Sequence, residues 1–316
     1  MFVDAAGENM AGRYSAFVSR VRSGMLAILD GGTSTELDRH GVVMDDMTWS
    51  ACASINAFDR LVEIHRRYID AGADIITVNG YASSRLVLEP AGLSDQIRPV
   101  NEKNIEAALL ARERSGNPDV LVAGSVSHSL GFRSGEGESI EGDVSQGQFE
   151  EAFDEMFGFY EEYDVDVVLL EMMSAPRRMS PLFERASRSP LPVWCGLSAR
   201  RHDQTSAITG FLDESILLID NVCEACKYEF EGLGIMHTSV ELIQDGIHLI
   251  KARHDGLIIA YPDSGYSKSP YWDFEEVVSP ADLVTFALQW KKAGANVIGG
   301  CCGIGPNHIE ALVKLA

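Results

Sequence analysis

Short runs of consecutive apolar residues recur from one end of the chain to the other, and between them apolar positions return at helical spacing. The runs predict strands at 25–30, 73–79, 120–125, 165–171, 193–198, 232–237, 256–261 and 296–301. They are continuous rather than alternating, as in strands covered on both faces by other elements. Helices are predicted between them, for example over 58–71, where Leu61, Ile64, Tyr68 and Ile69 share a face, and over 148–163, rich in Phe and Glu. Ala71-Gly72-Ala73-Asp74 and Ala293-Gly294-Ala295-Asn296 each read as a helix end feeding a buried parallel strand.

Eight β/α units predict an α/β fold, a (β/α)8 TIM barrel built as a single domain over residues 1–316, with 1–24 a helical lead-in closing its bottom. A doubly wound sheet is the competing architecture. It calls for a glycine-rich phosphate loop after the first strand, and Asp30-Gly31-Gly32-Thr33-Ser34 fits neither the dinucleotide nor the nucleoside triphosphate pattern. The segment 127–148, dense in Gly, Ser and Glu, follows the third strand and is expected to be a functional lid or plain disordered surface.

Composition narrows the partners. A hydrophobic content of 46% supports a large core, and a net charge of −21 excludes nucleic acid as a partner, because phosphate binding needs clustered Lys and Arg. No run reaches membrane-spanning length, and Asp4, Glu8, Arg13 and Arg20 interrupt any secretory signal, so no membrane association is expected. Six cysteines without a disulfide-rich spacing suit a reducing, cytoplasmic setting. Nothing in the pattern addresses oligomeric state.

In a barrel the C-terminal ends of the strands converge on one mouth. Here those ends carry Asp30 with Gly31, Asn79 with Tyr81, Ser125, Glu171, Ser198, His237, Asp263 and the adjacent Cys301 and Cys302. Taken singly, Asp30 and Asp263 read as turn or capping residues, Glu171 as a satisfied polar group and His237 as hydrogen-bonded structure. The paired cysteines fit a soft metal such as zinc, a vicinal disulfide or two ordinary buried thiols. With His237 they would make a His, Cys, Cys set with a fourth position open for substrate. Cys223-Glu224-Ala225-Cys226 has zinc-knuckle or redox spacing, but it falls inside an expected helix over 215–228 and reads as small core fillers. Cys52 and Cys195 read as buried and structural.

These residues resemble the homocysteine S-methyltransferase family, zinc-dependent barrels that include the betaine and S-methylmethionine enzymes. The resemblance rests on Leu29-Asp30-Gly31-Gly32 with Thr35-Glu36-Leu37, Trp49-Ser50-Ala51, the stretch from His65 to Tyr81, Ala123-Gly124-Ser125, Leu170-Glu171, Tyr261-Pro262 with Ser264-Gly265, and Gly299-Gly300-Cys301-Cys302-Gly303. It implies a (β/α)8 fold and a Zn2+ ion held by three cysteines, two of which match Cys301 and Cys302. The third position, at the end of strand six, is here His237. The asparagine of a Tyr-Pro-Asn-Ser-Gly motif is Asp263, and a Gly-Pro after the third strand is Ser127-His128.

The resemblance implies methyl transfer from a small sulfonium or ammonium donor to the thiol of homocysteine, forming methionine, with His237, Cys301 and Cys302 as metal ligands. It places Asp30 and Glu171 on the acceptor's amino group, amides near Gly31 and Gly32 on its carboxylate, and Tyr81 on the donor side. An aromatic side chain such as Tyr81 or Trp49 would hold a cationic donor, and Asp263 adds negative charge beside acceptor or donor. The chain ends soon after the eighth strand, so a free small-molecule donor is expected rather than a cobalamin or folate module. Another thiol or selenol acceptor, or a non-catalytic metal or metabolite binder, are the alternatives.

Overall fold

The computed structural model describes residues 4–133, 137–138, 144–163 and 165–316. Among the described residues eight parallel strands form the barrel: β1 (Ala27–Ile28), β2 (Ile75–Thr77), β3 (Leu121–Ser127), β4 (Val167–Met173), β5 (Val193–Arg201), β6 (Gly232–Met236), β7 (Leu257–Tyr261) and β8 (Val297–Ile298), and Ile208–Gly210 adds an antiparallel strand to the end of β5. Each is hydrogen-bonded to the next in sequence from β2 to β8. β8 then pairs with β1 through Ala27↔Val297 and Ile28↔Ile298, and a parallel bridge between Leu29 and Ile75 joins β1 to β2. Spatial order equals chain order, and the ring closes as a TIM barrel.

The continuous apolar runs have a direct cause. Every residue of β3 and β4 is buried, because alternate side chains face either the barrel interior or the surrounding helices. Leu121, Ala123, Val167 and Leu169 belong to the interior cluster, while Val122, Val168 and Leu170 pack outward against helices. Each fully buried aliphatic side chain contributes about 1.5–3 kcal/mol relative to exposure. The helix Phe58–Asp70 buries Leu61, Ile64, Tyr68 and Ile69, the face its spacing predicts. The helix Gln146–Glu162 begins two residues earlier than its apolar pattern suggests. Its start is set by a capping box, in which Ser145 and Gln148 exchange backbone and side-chain hydrogen bonds.

The N-terminal end of the barrel is sealed. Helix α1 (Asp4–Arg22) inserts Tyr14, Phe17 and Val21 into the interior cluster, and the Trp194 indole donates to the Tyr14 hydroxyl at 2.9 Å. Below the strands, buried Asp166 pairs with Arg13 and, at 2.7 Å, with Arg112, and accepts from the Val122 amide. Access to the interior is therefore from the C-terminal ends of the strands.

Three details depart from expectation. The helix predicted over 215–228 is the shorter Leu218–Ala225, and Cys223 on it is exposed rather than a core filler, with Cys226 half-buried at its end. Cys195 is buried in β5, but Cys52 is only half-buried. Part of the expected lid lies outside the described residues; the described part pairs Phe132–Arg133 antiparallel with Gly137–Glu138. Among the described residues no helix is long and apolar enough to cross a membrane.

Candidate active site and metal centre

A cavity of about 870 Å³ opens at the C-terminal mouth, and the strand-end residues Asp30, Tyr81, Glu171, His237, Cys301 and Cys302 line it. Cys301 and Cys302 follow β8 on a turn that only glycine permits. A Cβ on Gly300 would lie 2.2 Å from Ile304, and one on Gly303, at φ +79°, would lie 1.8 Å from the Ser264 carbonyl oxygen. The turn is tied to the loop after β7 on both sides. Cys301 donates its amide to Pro262 at 2.7 Å, and Ser264 donates to the Cys302 carbonyl at 2.9 Å.

His237 follows β6 directly with φ +40°, a left-handed conformation rare for a residue with a side chain. Its ring stands edge-on to Phe211 (4.9 Å between centroids) and to Trp272 (6.1 Å). Nδ1 is 3.5 Å from Cys301 Sγ, and Cys301 Sγ is 3.9 Å from Cys302 Sγ. The three ligand atoms lie within 4.8 Å of one another. A tetrahedral zinc, with bonds of about 2.3 Å to sulfur and about 2.0–2.1 Å to nitrogen, sets edges of about 3.8 Å between sulfurs and about 3.6 Å between sulfur and nitrogen. The two separations made by Cys301 Sγ match these edges, and a metal held by the three residues would keep a fourth position for another ligand. Without a cation, the neighbouring Cys302 and burial hold the Cys301 thiol well above its ordinary value, with His237 opposing them.

Two carboxylates face the same space. Asp30 is buried, and both Thr77 donors hold it, the amide at 2.7 Å and the hydroxyl at 2.9 Å. Glu171 sits where the β4–β5 register shifts between Leu170 and Met173, a bulge that re-aims side chains, and the Ser125 hydroxyl donates to it. Burial pushes each carboxyl up to about 7; the Thr77 hydrogen bonds oppose the shift at Asp30, and that of Ser125 opposes it at Glu171. A cationic group between them restores their charge.

A sequence profile of the homocysteine S-methyltransferase family matches residues 27–316. The chain belongs to that family. Homocysteine S-methyltransferase 2 of Zea mays is 28% identical over 90% of this chain and 88% of its own length, and the selenocysteine methyltransferase of Astragalus bisulcatus is 26% identical over 93% of each. The metallated form of the Escherichia coli homocysteine methyltransferase MmuM superposes with a TM-score of 0.75 at 24% identity, covering 94% of this chain and 99% of that one, which shows the shared barrel. The chain is an S-methyltransferase acting on a small thiol-bearing substrate.

Two residues expected at the substrate make contacts within the chain. The Gly32 amide, expected to meet a substrate carboxylate, donates to the Ile304 carbonyl at 3.0 Å. What remains beside Gly31 is the start of helix α2 (Thr33–Arg39), whose first amides have no partner one turn back and whose Thr33 and Ser34 line the cavity. Asp263, expected to face a substrate, is not among the cavity-lining residues; its Oδ2 lies 3.8 Å from His237 Nε2.

Sequence reasoning missed part of the wall of this methyltransferase. Trp49 and Tyr81 meet edge to face at 6.4 Å, and Phe132 packs 5.5 Å from Trp49, giving a three-ring surface. Ser127 donates to the Tyr81 carbonyl and fixes that segment. An aromatic residue inside a Gly- and Ser-rich loop was the available signal for Phe132. Tyr261 is buried on the cavity wall, and its hydroxyl has no hydrogen-bond partner among the described residues. Four non-glycine residues among those described have positive φ, and three of them, Trp49, Met172 and His237, line the cavity. Such strain concentrates where function needs a fixed geometry.

Proposed function

We propose that this enzyme moves a methyl group from a small sulfonium or quaternary ammonium donor to the thiol of homocysteine, with zinc held by His237, Cys301 and Cys302. The agreement of the sulfur–sulfur and sulfur–nitrogen separations with the edges of a zinc tetrahedron carries the reading. Bound there, zinc supplies a Lewis acid that keeps an incoming thiol deprotonated near neutral pH. The chain does the rest. Asp30 and Glu171 bind the acceptor's ammonium, and the amides of Gly31 and of the α2 start take its carboxylate. Those contacts fix the acceptor sulfur at the cavity floor. The Trp49, Tyr81 and Phe132 rings offer negative π faces to the donor cation and align its methyl carbon. Six free thiols support a reducing, cytoplasmic location.

Elemental analysis of the purified protein and of a His237→Ala variant, with methyl-transfer assays on homocysteine, tests the reading. S-methylmethionine, S-adenosylmethionine, betaine and dimethylsulfoniopropionate serve as donors. One equivalent of zinc and methionine formation from at least one donor are expected. A full equivalent of zinc surviving in the variant would sink the ligand assignment, and no transfer from any onium donor would sink the reaction. A relative named for selenocysteine makes a selenol the competing acceptor, which direct competition between the two amino acids resolves.

A further inference from the structure

We propose that Asp263 is a positioning residue for the metal: its carboxylate, an ionic neighbour 3.8 Å from His237 Nε2 rather than a hydrogen-bonded partner, draws that nitrogen toward itself so that Nδ1 stays turned to the two sulfurs. The proposal rests on the reading of His237 as a ligand. The two ring nitrogens have separate surroundings. Nδ1 lies 3.5 Å from Cys301 Sγ, and Nε2 lies 3.8 Å from Asp263 Oδ2. A ligating histidine uses one nitrogen for the metal and commonly gives the N–H of the other to a carboxylate, which fixes tautomer and ring orientation.

The backbone supports that division. Asp263 sits between Pro262, which accepts from the Cys301 amide, and Ser264, which donates to the Cys302 carbonyl. Its carboxylate is therefore carried on the same bracket as the two thiols, and movement of one moves the other. Phe211 and Trp272 hold the ring edge-on, so it has little freedom to turn Nε2 elsewhere. The side chains of His237 and Asp263 are only 15% and 18% exposed, where a charge interaction is weakly screened.

Charge gives the arrangement a second role. A divalent ion with two thiolates and a neutral imidazole has net charge zero, one unit more positive than with three thiolates. Asp263 supplies that missing negative unit just beyond the ring, 3.8 Å from Nε2. His237 and Asp263, two of the three places at which the sequence departs from its family motif, thus lie side by side.

The test compares four proteins: the parent, Asp263→Asn, His237→Cys, and His237→Cys with Asp263→Asn. Zinc affinity is measured by competition with a chromogenic chelator, and cobalt(II)-loaded samples give absorption spectra. In the parent background Asp263→Asn is expected to weaken zinc about 10–100-fold. It should also shift the cobalt ligand-field bands, with the thiolate charge-transfer intensity kept. In the His237→Cys background the same change should alter affinity less than about 3-fold, because a thiolate has no second nitrogen to hold. Equal losses in both backgrounds, or no loss in either, overturn the positioning role and leave the ligand reading intact. A parent protein with no zinc affinity overturns the ligand reading itself. If the cysteine variants do not fold, the cobalt spectrum of Asp263→Asn alone decides: bands identical to the parent's refute the contact.

Discussion

Thr77 holds Asp30 with both of its donors, the amide to Oδ2 and the hydroxyl to Oδ1, at the buried end of the acceptor site. Replacing Thr77 by Val keeps the shape and removes the hydroxyl. Asp30, already pushed up to about 7 by burial, should then rise further, so that less of it is ionised at neutral pH. A lost hydrogen bond to a charged group is worth about 1.5–3 kcal/mol, which predicts a KM for the amino-acid acceptor raised roughly 10–150-fold at pH 7, with partial recovery at pH 9. A KM–pH profile checks this, and an unchanged KM refutes the role.

Asp30 and Glu171 also predict how the ligand-free protein responds to pH. Their ordinary values of 3.8 and 4.5 are raised to about 7 in the fold, so between about 4 and 7 the native state keeps protons that the unfolded chain releases. Their cost to stability is absent below that window, grows as pH rises through it and is complete above about 7. The melting temperature of Asp30→Asn relative to the parent should therefore increase from pH 4 to pH 7, although the variant binds the acceptor poorly. A difference that stays flat, or shrinks, contradicts the assignment.

Gly303→Ala tests the cysteine turn. A methyl group there meets the Ser264 carbonyl oxygen at 1.8 Å, and that carbonyl also accepts from the Trp272 indole. With the left-handed φ, the expected loss is roughly 2–3 kcal/mol, read from denaturant unfolding, together with reduced zinc content. Gly116→Ala is the control. It shares a positive φ of +69° but has open space around it, so it should cost only about 1 kcal/mol and leave zinc bound.

Phe132→Leu keeps an apolar surface and removes one π face from the three-ring wall. A cation–π contact of about 0.5–2 kcal/mol predicts a donor KM raised roughly 2–30-fold, while the acceptor KM holds because Asp30 and Glu171 are untouched. Steady-state kinetics with each substrate varied in turn separates the two.

The barrel was legible because parallel strands buried on both faces leave uninterrupted apolar runs, and because helix ends such as Ala71-Gly72 punctuate them. Strand ends then located Asp30, Glu171, His237 and the cysteine pair on one mouth, since a barrel allows no other place for them to meet. What stayed hidden depends on direction rather than position. Nothing in periodicity tells that the Gly32 amide is already engaged by Ile304, or that Asp263 turns toward His237 rather than into the cavity. Phe211 reaches the ring from a loop and Trp272 from a short hairpin strand outside the barrel, Tyr271–Asp273, where no barrel repeat encodes orientation. The exposure of Cys223 was missed because the face this helix buries is that of Leu218, Asn221, Val222 and Ala225, and Cys223 lies off it.

The seam between β1 and β8, where the Leu29 amide bonds to the Ile298 carbonyl at 2.9 Å, joins residues from opposite ends of the chain. Every other pair of neighbouring strands is close in sequence, so until β8 docks on β1 the sheet stays open with two bare edges. Cys301 and Cys302 follow closely on β8, so the two thiols come up to His237 only as the ring closes. Folding intermediates in which β8 is undocked should therefore leave the His237, Cys301 and Cys302 cluster unassembled and expose strand edges prone to aggregation.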